Sequence, residues 1–177
     1  LLVELLTAVL FYLNAVLFPT NQAMLLSGIT FFLIVIFYVD LKHQIIFDIF
    51  PYLLLVSGLL INFYPKLNPF SINMINSFLS AMISALLFLL IRYLFKKIKN
   101  KEGMGLGDIK LIAGLSAWSG FESFLYILTI SSLIGILYFL TVPKNKNKRG
   151  KKDIYIPYGS CLSFAFMILL YFNSSLL

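Results

Sequence analysis

Cysteine and histidine are almost missing from this chain, with one of each in 177 residues. A lone cysteine builds neither a disulfide framework nor a thiolate metal site within the chain, and Cys161 lies in an apolar run, where a small buried side chain is the plain reading. Charge is scarce as well: 12% of residues are charged and seven are acidic, against roughly a quarter charged in soluble domains. With 60% apolar residues and a mean hydropathy of +0.95, too little polar surface remains to clothe a water-soluble fold. The chain also lacks GxSxG, HExxH, CxxC and P-loop patterns, which removes the usual serine, zinc, redox and nucleotide chemistries and leaves carboxylates. The 14 basic residues give a net charge of +7, but they sit in short loops between apolar runs rather than among aromatics on one surface. Membrane orientation accounts for them, and no nucleic-acid partner is expected.

What is present is a succession of apolar runs, at residues 1–18, 23–39, 49–64, 70–95, 106–119, 121–142 and 154–172. Each approaches the roughly 17–25 residues of a spanning helix. The pattern predicts an all-α polytopic transmembrane bundle of about seven helices, forming a single domain over residues 1–177 in a lipid bilayer. The breaks are polar turns at Pro19-Thr20-Asn21, at Pro65-Lys66-Leu67-Asn68-Pro69 and at Ser119-Gly120, and basic loops at 96–101 and 144–152. The chain opens inside a hydrophobic stretch without methionine, so further sequence upstream of Leu1 is expected. Short basic loops stay on the cytoplasmic side. If the runs alternate, Lys42, Lys96, Lys97, Lys99, Lys101, Lys110 and the run from Lys144 to Lys152 share one side, and Lys66 alone falls on the other.

Most of the acids have ordinary explanations. Glu102 and Asp153 are counter-charges in basic loops, Glu122 sits at an outer turn, and Glu4 either lies near the chain start or faces the bundle. Asp40 closes the second run and Asp108 opens the fifth, both on the cytoplasmic side and at one depth. Acids at membrane depth are costly and usually pair, line a cavity or do chemistry, although two helix-end acids could also be interfacial caps. Asp48, in the same loop, competes with Asp40. Gly103, Gly105 and Gly107 alternate ahead of Asp108, a pattern poor for helix and suited to a backbone that a substrate strand can approach. Two neighbouring carboxylates do not readily both ionise. One then keeps a proton as general acid while the other activates water against a peptide carbonyl, with no metal required. The lone His43, beside Lys42, reads as an interfacial residue.

These residues resemble the type IV prepilin peptidases, the Gly-x-Gly-Asp aspartyl proteases. Glu102-Gly103-Met104-Gly105-Leu106-Gly107-Asp108-Ile109-Lys110-Leu111 is similar to the family's second catalytic motif. Tyr38-Val39-Asp40-Leu41-Lys42-His43-Gln44-Ile45-Ile46-Phe47-Asp48 resembles the first, in which the earlier acid is catalytic and the later one is not. Val3-Glu4-Leu5-Leu6-Thr7 and Ile156-Pro157-Tyr158-Gly159 match further stretches. Phe47 stands where the family usually has proline, and Tyr158 and Ser160 replace its usual phenylalanine and proline. The resemblance implies a bacterial inner-membrane endopeptidase with Asp40 and Asp108 catalytic at the cytoplasmic face. Its substrate would be a type IV prepilin or pseudopilin precursor of pili, competence or secretion, losing a short basic leader after a glycine. Proteolysis would need no cofactor. Zinc, and methylation by S-adenosylmethionine, belong to an upstream region of the larger members. An archaeal preflagellin peptidase is the near alternative and an ion-coupled transporter using the two acids the distant one. The presenilin and signal-peptide-peptidase group shares Gly-x-Gly-Asp, but this chain lacks its Pro-Ala-Leu motif.

Overall fold

The computed structural model describes residues 2–100, 103–141 and 156–174. The basic loop at 144–153, together with Lys101 and Glu102, lies outside them. The described residues form six α-helices, one 3-10 turn at Pro65–Leu67 and no strand: α1 (Leu2–Leu17), α2 (Thr20–His43), α3 (Ile49–Ile61), α4 (Met74–Lys99), α5 (Leu106–Thr141) and α6 (Tyr158–Ser174). Three of them, α2, α4 and α5, are long and apolar enough to cross a membrane, and the others are shorter apolar helices. Leucine, isoleucine and phenylalanine crowd the outer surface, for example Leu86, Leu133 and Ile75. That is the surface a bilayer tolerates and water does not.

Helix ends follow local chemistry. Asn73 caps α4 by accepting the Asn76 N–H at 3.0 Å. Gln44 and Asn100 end α2 and α4 in the left-handed conformation, with φ of 55° and 50°, and their amides return to the carbonyls of Asp40 and Lys96. Lys42 and His43 in the last turn of α2, and Lys96, Lys97 and Lys99 in that of α4, lie where a helix C-terminus favours positive charge.

Where two separate helices were expected over 106–119 and 121–142, the chain runs helical throughout and turns at Gly120 without an intervening loop. Gly120 has φ 75° and ψ 166°, a region open essentially to glycine alone. Asp108 and Gly135 line one cavity, yet a straight helix would hold them about 40 Å apart. The helix therefore doubles back at Gly120, and α5 supplies two limbs to a bundle of seven helical segments.

The first limb of α5 is the centre of the molecule. Residues 111–120 are buried on all sides, with α3 and α4 packed on the same helix and α6 completing its surroundings. Small side chains at Ala113, Gly114, Ser116 and Ala117 let neighbours come close. A Cβ on Gly114 would stand 3.1 Å from both Leu54 Cβ and the Pro51 carbonyl, the close approach common between membrane helices.

Backbone groups freed near the turn are taken by side chains, as a membrane interior requires. Asn62 and Ser77 donate to the Ala117 carbonyl at 3.0 and 2.6 Å, and Asn68 donates to that of Trp118 at 2.8 Å and to Asn62 Oδ1 at 2.7 Å. Trp118 Nε1 in turn donates to the Leu54 carbonyl at 2.9 Å. This knot occupies one end of the bundle, with Lys66 nearby accepting from Gln22 through its backbone at 2.6 Å.

Candidate active site

At the opposite end a cavity of about 810 Å³ opens among α2, the start of α5, the returning limb of α5 and the start of α6. Asp40 and Asp108 both line it, within electrostatic reach of each other. Asp40 occupies the last full turn of α2 and is 4% exposed. Its Oδ2 accepts from the Ser160 N–H at 2.7 Å and lies 3.0 Å from the Ser160 hydroxyl. Ser160 is the third residue of α6, whose first amides have no partner within the helix, so the carboxylate sits at the positive end of that helix. Residues 120 apart in sequence meet here.

Asp108 is the third residue of α5. From that position a carboxylate can bend back towards the amide just before the helix, as the acidic member of a capping box does, and Asp108 Oδ2 lies beside Gly105. Both acids are thus received by helix starts.

Gly103, Gly105 and Gly107 also line the cavity, with Met104 between the first two. None has a positive φ, so close approach rather than backbone freedom is their common feature. A Cβ would stand 2.6 Å from the Phe95 ring at Gly103, 3.3 Å from Asp108 Oδ2 at Gly105 and 3.1 Å from Ile46 Cβ at Gly107. Gly107 already belongs to the helix, leaving Gly103 to Gly105 as the irregular stretch.

The other described acids go elsewhere. Asp48 begins α3, is exposed, and pairs with Lys110 Nζ at 2.7 Å, outside the cavity. Lys110 also lies over the Tyr52 ring, 5.1 Å from its centroid, so this pair ties the start of α5 to α3. Glu4 and Glu122 are exposed on α1 and on the second limb of α5. His43 stands at the cavity mouth.

Several lining residues carry no acid–base signal in the sequence. Ser132, Gly135 and Ile136 arrive on the returning limb, and Tyr158 on α6. Gly159 is visible in advance only as part of Ile156-Pro157-Tyr158-Gly159, and Ser160 only as a departure from the family pattern. Where a proline would offer no donor at all, Ser160 brings two.

Zinc, which the resemblance ties to an upstream region, finds no ligand set: no three His, Cys, Asp or Glu side chains gather among the described residues, and Cys161 is the sole cysteine of the sequence. No residue of the cavity is assigned to S-adenosylmethionine.

A sequence model of the type IV leader peptidase family matches residues 27–140. A prepilin leader peptidase/N-methyltransferase of Aeromonas salmonicida is 32% identical over 99% of this chain and 58% of its own length. One of Dichelobacter nodosus is 34% identical over 93% and 54%. A type 4 prepilin-like proteins leader peptide-processing enzyme of Escherichia coli is 29% identical over 98% and 61%. The chain therefore spans less than two thirds of the length of each of these relatives. No solved structure matches it.

Proposed function

Because the chain belongs to the type IV leader peptidase family, we propose that it is a membrane-embedded aspartyl endopeptidase that removes the short basic leader of type IV prepilin or pseudopilin precursors. The observation that carries this reading is the convergence of Asp40 and Asp108 on one cavity beside the Gly103 to Gly105 backbone.

The chemistry needs one water. The ionised carboxylate takes a proton from it as its oxygen attacks the scissile carbonyl carbon, and the protonated carboxyl hydrogen-bonds the carbonyl oxygen as charge develops there. Collapse of the tetrahedral intermediate breaks the C–N bond, the leaving nitrogen takes a proton from the pair, and the two acids again share one proton. An extended peptide lying against Gly103 to Gly105 has its carbonyl within reach of that water.

The cavity lies at the end of the bundle that carries Lys42, Lys96, Lys97 and Lys99, and basic ends stay cytoplasmic. The reachable bond is then at the cytoplasmic start of a substrate's hydrophobic helix. A glycine before that bond gives the least steric obstruction, in keeping with the family resemblance. On this reading residues 1–177 act as one membrane domain of a bacterial inner-membrane enzyme, and methyl transfer is assigned to none of them.

The test incubates the purified full-length protein in lipid with a membrane-anchored precursor whose basic leader ends in glycine, and reads the new amino terminus by mass spectrometry. Cleavage directly after the glycine is expected. Cleavage inside the hydrophobic segment, or undiminished cleavage once that glycine is made bulky, would overturn the proposal.

A further inference from the structure

An aspartyl pair works only when its two members differ, one ionised and the other holding the proton. The hydrogen bonds around this pair are unequal. Asp40 Oδ2 faces two donors from a single residue, the Ser160 amide at 2.7 Å and the Ser160 hydroxyl at 3.0 Å, and both residues are buried, at 4% and 2% exposure. Asp108 is half-buried beside the Gly105 backbone, its Oδ2 3.3 Å from where a Gly105 Cβ would stand. No hydroxyl or amide side chain among the described residues is hydrogen-bonded to it.

We infer that Ser160 is a positioning residue that fixes Asp40 as the base of the pair and leaves the shared proton on Asp108. Both donors fall on Oδ2, so that oxygen is held as an acceptor while Oδ1 stays open to take the proton from water. Donors directed at a carboxylate favour its ionised form, and charge-assisted bonds of this kind are roughly twice as strong as neutral ones.

The hydroxyl has a second acceptor, the Phe37 carbonyl at 2.9 Å, one turn back along α2. Its single proton therefore has a place in both halves of the cycle. It points to Asp40 while the carboxylate is ionised, and turns to Phe37 once Asp40 has taken a proton from water. No buried donor is stranded at either stage.

The inference rests on the peptidase reading, so the test separates the two. Steady-state cleavage of the glycine-leader precursor is measured for the wild-type full-length protein in lipid and for Ser160→Ala, Ser160→Thr, Ser163→Ala and Asp40→Asn. Ser163 serves as the control, because its hydroxyl bonds the Gly159 carbonyl at 2.9 Å in the same helix and does not touch Asp40. Ser160→Ala should lower kcat about tenfold with KM changed less than about twofold, the scale of one lost bond to a charged group. Ser160→Thr, which keeps the hydroxyl, should recover kcat to within about threefold of wild type, and Ser163→Ala should stay within about twofold. Full kcat in Ser160→Ala, alongside an inactive Asp40→Asn, would overturn the role of Ser160 and leave the peptidase reading standing. Equal losses in Ser160→Ala and Ser163→Ala would likewise overturn it, by showing a general weakening of α6. Turnover that survives Asp40→Asn would overturn both.

Discussion

Asp40 and Asp48 lie eight residues apart and have opposite surroundings. One is enclosed at the start of α6, while the other is exposed and bound to Lys110. Asp40→Asn and Asp108→Asn should each lower kcat about a hundredfold or more, the scale of lost general acid–base catalysis, with membrane insertion unchanged. Asp48→Asn should keep activity within about threefold, since an exposed ion pair contributes about 0–1 kcal/mol. An inactive Asp48→Asn beside an active Asp40→Asn would reverse the assignment. Gly159 offers a steric test: a Cβ there would stand 2.5 Å from Ile46 Cδ1 and 3.1 Å from Asp40 Oδ2. Gly159→Ala should displace the carboxylate and lower kcat about tenfold or more, because small misplacements of a reacting group are costly; wild-type kinetics would show that Ile46 gives way instead. The sequence permits the choice of Asp40 because that residue sits at the junction of an apolar run and a basic loop. It does not disclose Ser160, whose donors matter only once α6 has packed against a helix 120 residues earlier.

The element that organises the bundle is α5. Its two apolar runs and the Ser119-Gly120 break between them are readable in sequence, since glycine marks a conformation other residues avoid. The missing loop is not readable, because it depends on the Ala117 and Trp118 carbonyls finding Asn62, Ser77 and Asn68 on other elements. The deep burial of residues 111–120 is likewise hidden, since a helix apolar all round looks the same whether it faces lipid or protein. Gly120→Ala should destabilise the protein by about 1–3 kcal/mol through backbone strain, and Ile72 Cγ2, 3.2 Å from the added Cβ, adds crowding. Thermal unfolding in detergent would measure this. A wild-type midpoint would mean that the turn relaxes to another conformation.

For the whole molecule, the lysines in the last turns of α2 and α4 lie at the same end of the bundle as the cavity and Lys66 lies at the far end, so orientation and the proposed function stand or fall together. Single cysteines replacing Lys97 and Lys66, in a Cys161→Ser background, should differ in intact cells: the first protected from an impermeant thiol reagent, the second labelled. Labelling at position 97 from outside would turn the cavity away from the cytoplasm and remove the basis for a cytoplasmic cut. The segregation of basic residues is legible in the sequence, because loop charge is local, whereas the shape of the cavity requires all the helices at once.

The meeting of Asp40 with the first turn of α6 also sets an order in time. Asp40 leaves the ribosome first, Asp108 follows about seventy residues later, and the amides that receive Asp40 are made only as the last described helix is translated. Until that helix enters the bilayer, the nascent chain holds both acids without the arrangement that makes them unequal. On the proposed reading, the acid pair gains its asymmetry only as α6 docks against α2.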